Sequence, residues 1–184
     1  MRKIIAAINV TIDGFCDHTY GIADEELHRH YNELLKHAGA LIYGRITYQL
    51  MESSWPPIVK NPTGDKATDE FAVLIDIIPK IVFSRTLTDA GWRNAKLAKR
   101  SIAEEVAELR HQPGKYILVG SPSLIVALTN LNLIDEYQLC VHPVIAGKGL
   151  PLFKGINDKI IFKLLRTKPF GSGAMVFYYK PVRK

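Results

Sequence analysis

The chain has 184 residues, of which 47% are hydrophobic and 23% are charged, as is typical of a folded globular protein and not of a disordered or fibrous one. No apolar run approaches the roughly 18 residues of a membrane span, and the apolar stretch near the amino terminus is too short for a signal peptide. These features predict one domain over residues 1–184, located in the cytoplasm, with no membrane contact.

The formal net charge of +6 is compatible with two kinds of partner, nucleic acid or a small phosphorylated ligand. The lysines and arginines are scattered in ones and twos, and they do not alternate with aromatic residues as in an RNA- or DNA-binding motif. We therefore expect a small anionic ligand and no nucleic acid. The alternative, a nucleic-acid binder, predicts an affinity that falls steeply with salt.

The first part of the chain alternates between strand and helix patterns. Residues 3–10 are a nearly continuous apolar run, which predicts a strand covered on both faces. Apolar residues at helical spacing then predict a helix that begins near Asp24, where acidic residues suit a helix start, and stops at Gly39. A short strand at 40–43 leads into a helix over 44–51.

The middle of the chain continues this alternation. The prolines and the glycine of residues 52–66 predict a loop, and residues 80–84 predict another apolar strand. Residues 101–104, with the pattern Ser-x-x-Glu, form a capping box that begins the next helix. A strand at 116–119 is followed directly by a helix over 122–130.

The last part of the chain predicts three further strands. Apolar and polar side chains alternate along residues 136–142, which predicts one buried and one polar face, and we interpret His142 as a hydrogen-bonding residue at the strand end. Residues 159–168 and 174–180 flank a glycine-rich turn and predict an antiparallel hairpin. Strands separated by helices and followed by a hairpin predict an α/β fold with a mixed, mostly parallel sheet.

Three predicted strands end in glycine or hydroxyl residues where the chain must turn. Each segment alone also suits an ordinary strand-to-helix turn, but the carboxyl ends of parallel strands meet in one crevice, where helix N-termini present free N–H groups to anions. Ser121 can cap its helix, and Arg45 or Arg85 suits a 2′-phosphate, because a guanidinium group matches its geometry. The predicted cofactor-binding residues of these segments are Gly44, Arg45, Thr47, Ser84, Arg85, Thr86, Gly120, Ser121, Pro122, Ser123 and Leu124.

Several motifs of known chemistry are missing from the sequence. Neither Gly-x-Gly-x-x-Gly nor a P-loop occurs, so the sequence predicts no Rossmann dinucleotide site and no P-loop. The histidines show no metal-ligand spacing with a third ligand, and the zinc deaminase signature is absent, so we expect no metal and no deaminase activity. The two cysteines, Cys16 and Cys140, match no metal or redox spacing and are interpreted as structural.

A series of short segments, in order along nearly the whole chain, carries a family resemblance. They are residues 4–9 with 13–14, 44–48 followed by Trp55, 84–86, 120–124, 133–137, 142–149 and 151–153. Together they resemble the dihydrofolate-reductase-like superfamily, most closely the reductase domain of bacterial riboflavin deaminase-reductases and its free-standing relatives. The resemblance implies a three-layer α/β/α fold, NADPH as hydride donor and a homodimer. It also implies that Ala7 and Ile8 lie near the nicotinamide and that the strand-end residues hold the phosphates and ribose.

The sequence departs from both branches of that superfamily. Riboflavin-pathway reductases usually carry Glu-Gly-Gly where this chain has Val-Gly-Ser at 119–121, and the Gly-Arg-x-Thr-Tyr of residues 44–48 resembles the folate branch. Folate reductases place an acid in the first helix, and no carboxylate of this chain is in register with it. The candidate catalytic residues are therefore Asp24, His28 and Asp13, and Trp55 is the candidate wall of the substrate side.

These patterns and the resemblance together predict an NADPH-dependent reductase of a small heterocycle, either pterin-like or ribosylaminopyrimidine-like. Hydride transfer mostly requires that cofactor and substrate be held in a reactive geometry, so a missing acid does not exclude a reductase. The alternative is a non-catalytic nucleotide-binding or regulatory protein that retains the cofactor site.

Overall fold

The computed structural model describes residues 1–22 and 24–182, which form one sheet flanked by helices. The strands are β1 (Ile4–Thr11), β2 (Ala38–Gly44), β3 (Lys80–Phe83), β4 (Ala95–Leu97), β5 (Tyr116–Val119), β6 (Glu136–His142), β7 (Phe162–Pro169) and β8 (Met175–Pro181). The helices are α1 (Glu25–Lys36), α2 (Arg45–Lys60), α3 (Lys66–Ile77), α4 (Ile102–His111) and α5 (Pro122–Asn130).

The strands form an eight-stranded sheet in the order β4-β3-β2-β5-β1-β6-β8-β7. The first six strands in this order are parallel to their neighbours, whereas β8 runs antiparallel to β6 and forms a hairpin with β7. The predicted mixed, mostly parallel sheet with a carboxyl-terminal antiparallel hairpin is therefore confirmed. The sheet includes strands from both ends of the chain. The first strand, β1, lies near the middle of the sheet, and the carboxyl-terminal hairpin of β7 and β8 lies at one edge.

Helices cover both faces of the sheet. Buried residues of α1, α2 and α3 pack on one face, and those of α4 and α5 pack on the other. Strand β1 shows the division, because Ile4, Ala6 and Ile8 belong to the α4–α5 side and Ile5 and Ala7 belong to the α1–α3 side. This arrangement confirms the three-layer α/β/α prediction. Within the described residues, no helix has both the length and the hydropathy to cross a membrane.

The predicted loop over residues 52–66 is wrong in its first part, because α2 continues through Pro56 and Pro57 to Lys60. Prolines in a helix interior remove backbone hydrogen bonds, so tertiary packing must hold this segment in place. Trp55 supplies such packing, since its ring centroid lies 4.3 Å from that of Phe71 on α3. Helix α3 and strand β4 are further elements that the sequence patterns did not indicate.

Two other expectations are also corrected. The face of β6 predicted to be polar is buried, with Gln138 only 6% and His142 only 2% exposed, because β6 lies inside the sheet between β1 and β8. Gly39 does not stop α1 but lies within β2, where a Cβ atom would be only 2.5 Å from the Arg2 guanidinium. The glycine therefore makes room for a buried arginine.

Candidate active site

The three strand ends singled out in the sequence lie side by side in the sheet. They belong to β3, β2 and β5, which are consecutive strands and parallel, so their carboxyl ends share one edge. Gly44 pairs with Phe83, the last residue of β3, and Ile42 pairs with Val119, the last residue of β5. The structure thus places the segments after Gly44, Phe83 and Val119 next to one another.

Ser121 joins two of these segments. Its hydroxyl oxygen accepts a hydrogen bond from the Gly44 N–H at 2.9 Å, and the side chain is 1% exposed. The serine makes no side-chain cap of α5, so the expectation that it caps that helix is wrong. Its position holds the start of α2 against the start of α5.

The two helices that begin at this edge differ from the other helices of residues 24–182. Each of α1, α3 and α4 has a side chain that accepts a hydrogen bond from a first-turn N–H, and each has an acidic residue in that turn. Neither feature occurs in α2 or α5. Their first-turn N–H groups and the positive end of each helix dipole are therefore available to an anion.

Two arginines add positive charge at the same edge. Arg45 is the first residue of α2, is exposed, and donates a hydrogen bond to the Gln49 side chain at 2.9 Å. Arg85, also exposed, follows β3 in a turn fixed by Ser84, whose hydroxyl accepts hydrogen bonds from the N–H groups of Thr86 and Leu87. A site that combines free amides with guanidinium groups suits a ligand with several phosphates.

Two glycines at this edge lie where a side chain would meet neighbouring protein atoms. A Cβ atom on Gly44 would lie 3.2 Å from the Ser123 hydroxyl oxygen, and one on Gly120 would lie 3.5 Å from the Ala7 carbonyl oxygen. The first of these contacts is tighter than ordinary van der Waals separation, so a larger residue at position 44 would have to displace Ser123. Side chains at these two positions would contact neighbouring protein atoms, so both glycines allow the segments at this edge to pack closely.

A cleft of about 570 Å³, within the usual range for small-molecule sites, lies beside the strand ends, between β1 and the helices α1 and α2. Most of its wall is apolar. The predicted site residues on its wall are Ala7, Ile8, His28, Thr47, Trp55, Gly120 and Pro122. The other predicted cofactor residues lie in the same strand-end segments. The cleft therefore connects the predicted nicotinamide position, the predicted substrate wall and the start of both uncapped helices.

The three candidate catalytic residues occupy different surroundings. Asp24 caps α1 by accepting a hydrogen bond from the Leu27 N–H, and its second oxygen accepts one from the Ser172 N–H at 3.0 Å. These bonds lower the pKa of Asp24, that from Leu27 being the largest cause. His28, in the first turn of α1, is one of the residues that line the cleft.

Asp13 connects two loops. Its carboxylate accepts hydrogen bonds from the Thr11 hydroxyl at 2.6 Å and from the N–H groups of Ala146 and Gly147 at 3.0 and 2.7 Å. These bonds, led by that from Thr11, lower the pKa of Asp13 to about 2. Its carboxylate is ionised at neutral pH and holds the loop after β6 against the end of β1.

The sequence reasoning missed a polar group on the cleft wall, Asn9 of β1. Its side-chain oxygen accepts hydrogen bonds from the Tyr31 hydroxyl at 2.8 Å and from the His142 ring at 3.0 Å. His142 thus makes hydrogen bonds at the end of β6, as predicted. A single asparagine inside an otherwise apolar strand was the signal that could have drawn attention to this position.

The described residues contain no group of three or more histidine, cysteine, aspartate or glutamate side chains that could hold a metal ion. Asp17 and His18 also line the cleft, but the carboxylate of Asp17 is engaged by the Thr19 N–H and hydroxyl. The polar groups at the site are thus amides, hydroxyls, guanidinium groups, imidazoles and the Asp17 carboxylate, of which one oxygen accepts hydrogen bonds from Thr19.

Residues 2–176 match the model of one protein family, described as the RibD C-terminal domain. The chain is also similar to an uncharacterized protein of Bacillus subtilis (strain 168), YyaP, with 34% identity over 184 residues that cover 97% of this chain and 94% of YyaP. The similarity thus extends over nearly the whole length of both proteins.

Solved structures share the fold at much lower identity. A candidate riboflavin biosynthesis protein from Shewanella sp. PV-4 has a TM-score of 0.76 at 19% identity, covering 98% of this chain and 99% of the other. A dihydrofolate reductase from Enterococcus faecalis, in complex with NADP(H), has a TM-score of 0.65 at 14% identity, covering 97% and 96%. The dihydrofolate-reductase-like fold that the resemblance implied is confirmed.

Proposed function

The chain belongs to the RibD C-terminal domain family, and on that premise we propose that it is an NADPH-dependent reductase of a small heterocycle. The observation that carries the proposal is the pair of uncapped helix starts, α2 and α5, on adjacent strand ends beside Arg45 and Arg85. The remaining described helices carry their own caps and first-turn acids, so the difference falls at the predicted phosphate site.

The residues at this edge fit a phosphorylated dinucleotide. The first-turn amides of α2 and α5, which follow Gly44 and Gly120, would hold its diphosphate. One of the exposed guanidinium groups, Arg45 or Arg85, would hold the additional 2′-phosphate that distinguishes NADPH from NADH. The other predicted cofactor residues that would line this path are Thr47, Ser84, Thr86, Ser121, Pro122, Ser123 and Leu124.

NADPH, when bound, supplies a hydride from its nicotinamide ring. Ala7 and Ile8 would position that ring, since both residues lie on the cleft wall at the middle of β1. The apolar wall, including Trp55 held against Phe71, would exclude water and orient a flat heterocycle. The substrate class we propose is therefore a pterin-like or ribosylaminopyrimidine-like ring.

A reduced heterocycle also requires a proton, for which His28 is the proposed donor. Of the three predicted candidates, it is the one that lies on the cleft wall, whereas the carboxylates of Asp24 and Asp13 are held by backbone N–H groups. An imidazole can donate a proton near neutral pH without a metal or a buried acid.

The cofactor proposal is tested by measuring NADPH and NADH affinities by calorimetry. We expect the wild type to bind NADPH more tightly, and Arg45→Ala or Arg85→Ala to weaken NADPH binding by roughly tenfold or more, because a charge-assisted hydrogen bond is lost. NADH affinity should change far less in the variant that loses the 2′-phosphate contact. Lys3→Ala, which removes a charge before β1 at the opposite end of the sheet, is the matched control and should bind both nucleotides as the wild type does.

Turnover separates the reductase from the non-catalytic alternative. NADPH oxidation would be followed with dihydrofolate and with the riboflavin-pathway ribosylaminopyrimidine, using the wild type and His28→Gln. Turnover of one substrate, with a lower kcat in His28→Gln, is the expected result. Tight NADPH binding without turnover would favour a nucleotide-binding regulator, and absence of nucleotide binding would contradict both functions.

We also propose that the protein is a homodimer, as the family resemblance implies. Sedimentation equilibrium should then give about twice the 20.7 kDa of one chain. A mass equal to one chain at micromolar concentration would contradict this proposal.

A further inference from the structure

Asn9 differs from the other residues of the cleft wall in how its side chain is held. Two groups point at the same atom of its carboxamide, the Tyr31 hydroxyl at 2.8 Å and the His142 Nε2 at 3.0 Å. The partners come from α1 and from β6, which flank β1 on two sides. The asparagine is therefore fixed in orientation and not free to rotate its amide.

The chemistry of the partners identifies the held atom as the oxygen. The Nδ1 atom of His142 accepts a hydrogen bond from the Ile22 N–H at 3.0 Å, so in the neutral ring the proton is on Nε2 and is donated to Asn9. Burial lowers the pKa of His142, which favours this neutral form, and burial raises the pKa of Tyr31, which keeps its hydroxyl a donor. Two donors therefore meet one acceptor.

The Asn9 Nδ2 group carries two N–H hydrogens. Among the described residues, no atom accepts a hydrogen bond from either of them. Asn9 lies on the cleft wall next to Ala7 and Ile8 and among apolar side chains. A fixed amide donor in such surroundings is unsatisfied unless water or a ligand accepts its hydrogen bonds.

The position of Asn9 in the sheet places its amide nearer to the proposed substrate position than to the proposed phosphate site. The phosphate edge is formed by β3, β2 and β5, and β1 follows β5 in the sheet. The two residues that hold Asn9 lie beyond the phosphate edge, on α1 and on β6. The amide is therefore at the end of the site where the reacting ring would lie.

We propose that Asn9 is a specificity-determining residue that donates a hydrogen bond to a ring carbonyl of the substrate, with Tyr31 and His142 as the positioning residues. The inference rests on the proposed reductase function and narrows its substrate to heterocycles that present a lactam carbonyl. A ring with an amino group at that position would place donor against donor, and the site would reject it.

The test uses two flat probes that differ at the lactam: pterin carries a 4-oxo group and a hydrogen on N3, and 2,4-diaminopteridine carries a 4-amino group and none on N3. Calorimetry should show that the wild type binds pterin more tightly, by roughly tenfold. Asn9→Asp offers the cleft an acceptor in place of the donor, and it should reverse the preference. Asn61→Asp, at an exposed position after α2, is the matched control and should keep the wild-type preference.

The variant Tyr31→Phe distinguishes a role of Tyr31 in orienting the Asn9 amide from a role only in the stability of the fold. Loss of one of the two donors lets the carboxamide rotate, so the preference for pterin should shrink without reversing, even if the melting temperature is little changed.

Several results would overturn the inference. These are equal affinity of the wild type for the two probes, binding of neither probe, and an Asn9→Asp variant with unchanged preference. NADPH affinity, measured on the same wild-type samples, reports on the proposed function separately, because the amides and arginines that would hold NADPH do not include Asn9.

Discussion

His30 is a residue whose titration should be visible in the stability of the whole chain. Its ring packs against Tyr31 and Phe170, with centroid distances of 5.4 and 5.5 Å. Burial first, and then the positive charges of Lys168 and Arg166, lower the pKa of His30 from 6.5 to about 4. Between these values the unfolded chain binds a proton that the folded chain does not.

The free energy of unfolding should therefore fall as the pH is lowered through this range. Above pH 6.5 the neutral ring imposes no penalty, and below about 4 the full penalty is present, about 2 kcal/mol once solvent screening of a partly exposed ring is allowed for. Urea unfolding of the wild type and His30→Gln from pH 7 to pH 4 measures the difference. The variant should lose this part of the slope, and His111→Gln, at an exposed position, should retain it. Parallel curves for the wild type and His30→Gln would refute the assignment.

At the scale of secondary-structure elements, the start of α5 combines the absence of a side-chain cap with the proposed function. The helix begins with Pro122 and has neither a side-chain cap nor a first-turn acid. Ser123→Asp would add the missing negative charge in the first turn. It should stabilise the helix by about 0.3–1 kcal/mol through the helix dipole, and it should also weaken NADPH binding at least tenfold by repelling phosphate.

A gain in thermal stability together with a loss of NADPH affinity is the result expected if the start of α5 binds phosphate. Thermal unfolding and NADPH calorimetry on the same variant measure both. Ala107→Glu, which adds one negative charge to the exposed side of α4, is the control and should leave NADPH affinity unchanged. Unchanged NADPH affinity in Ser123→Asp would separate α5 from the phosphate site.

The elements also show how much of the fold the sequence could predict. Strands β2, β3 and β5 were found from their apolar runs, and their shared carboxyl edge followed from the general geometry of parallel sheets. The extent of α2 could not be predicted, because its proline pair is a strong local breaker signal. The packing of Trp55 on Phe71, which outweighs that signal, joins residues from different helices.

At the scale of the whole molecule, the site depends on contacts distant in sequence. Asn9 is held by residues 22 and 133 positions away, and the Ser121 hydroxyl reaches Gly44 across 77 positions. The sequence shows that these residues are present. It could not predict the orientation of the Asn9 amide or the hydrogen bond between the Ser121 hydroxyl and the Gly44 N–H. The strand-end segments could be predicted because each one is local, whereas the surroundings of Asn9 are assembled from β1, β6 and α1.

At this scale, the proposed binding region and the locally capped helices also lie in different parts of the molecule. The helices with caps and first-turn acids, α1, α3 and α4, are stabilised locally, whereas α2 and α5 leave their amino-terminal amides free at one edge. An anion bound there would complete the caps of both helices together. Binding of a phosphorylated dinucleotide should accordingly raise the melting temperature of the protein.

The most direct test of the central claim is a crystal structure of the protein with NADP⁺ bound. We expect the diphosphate to lie against the first-turn amides of α2 and α5, with the 2′-phosphate at Arg45 or Arg85 and the nicotinamide beside Ala7 and Ile8. A nucleotide bound anywhere else on the molecule, or phosphates that do not contact these two helix starts, would contradict it.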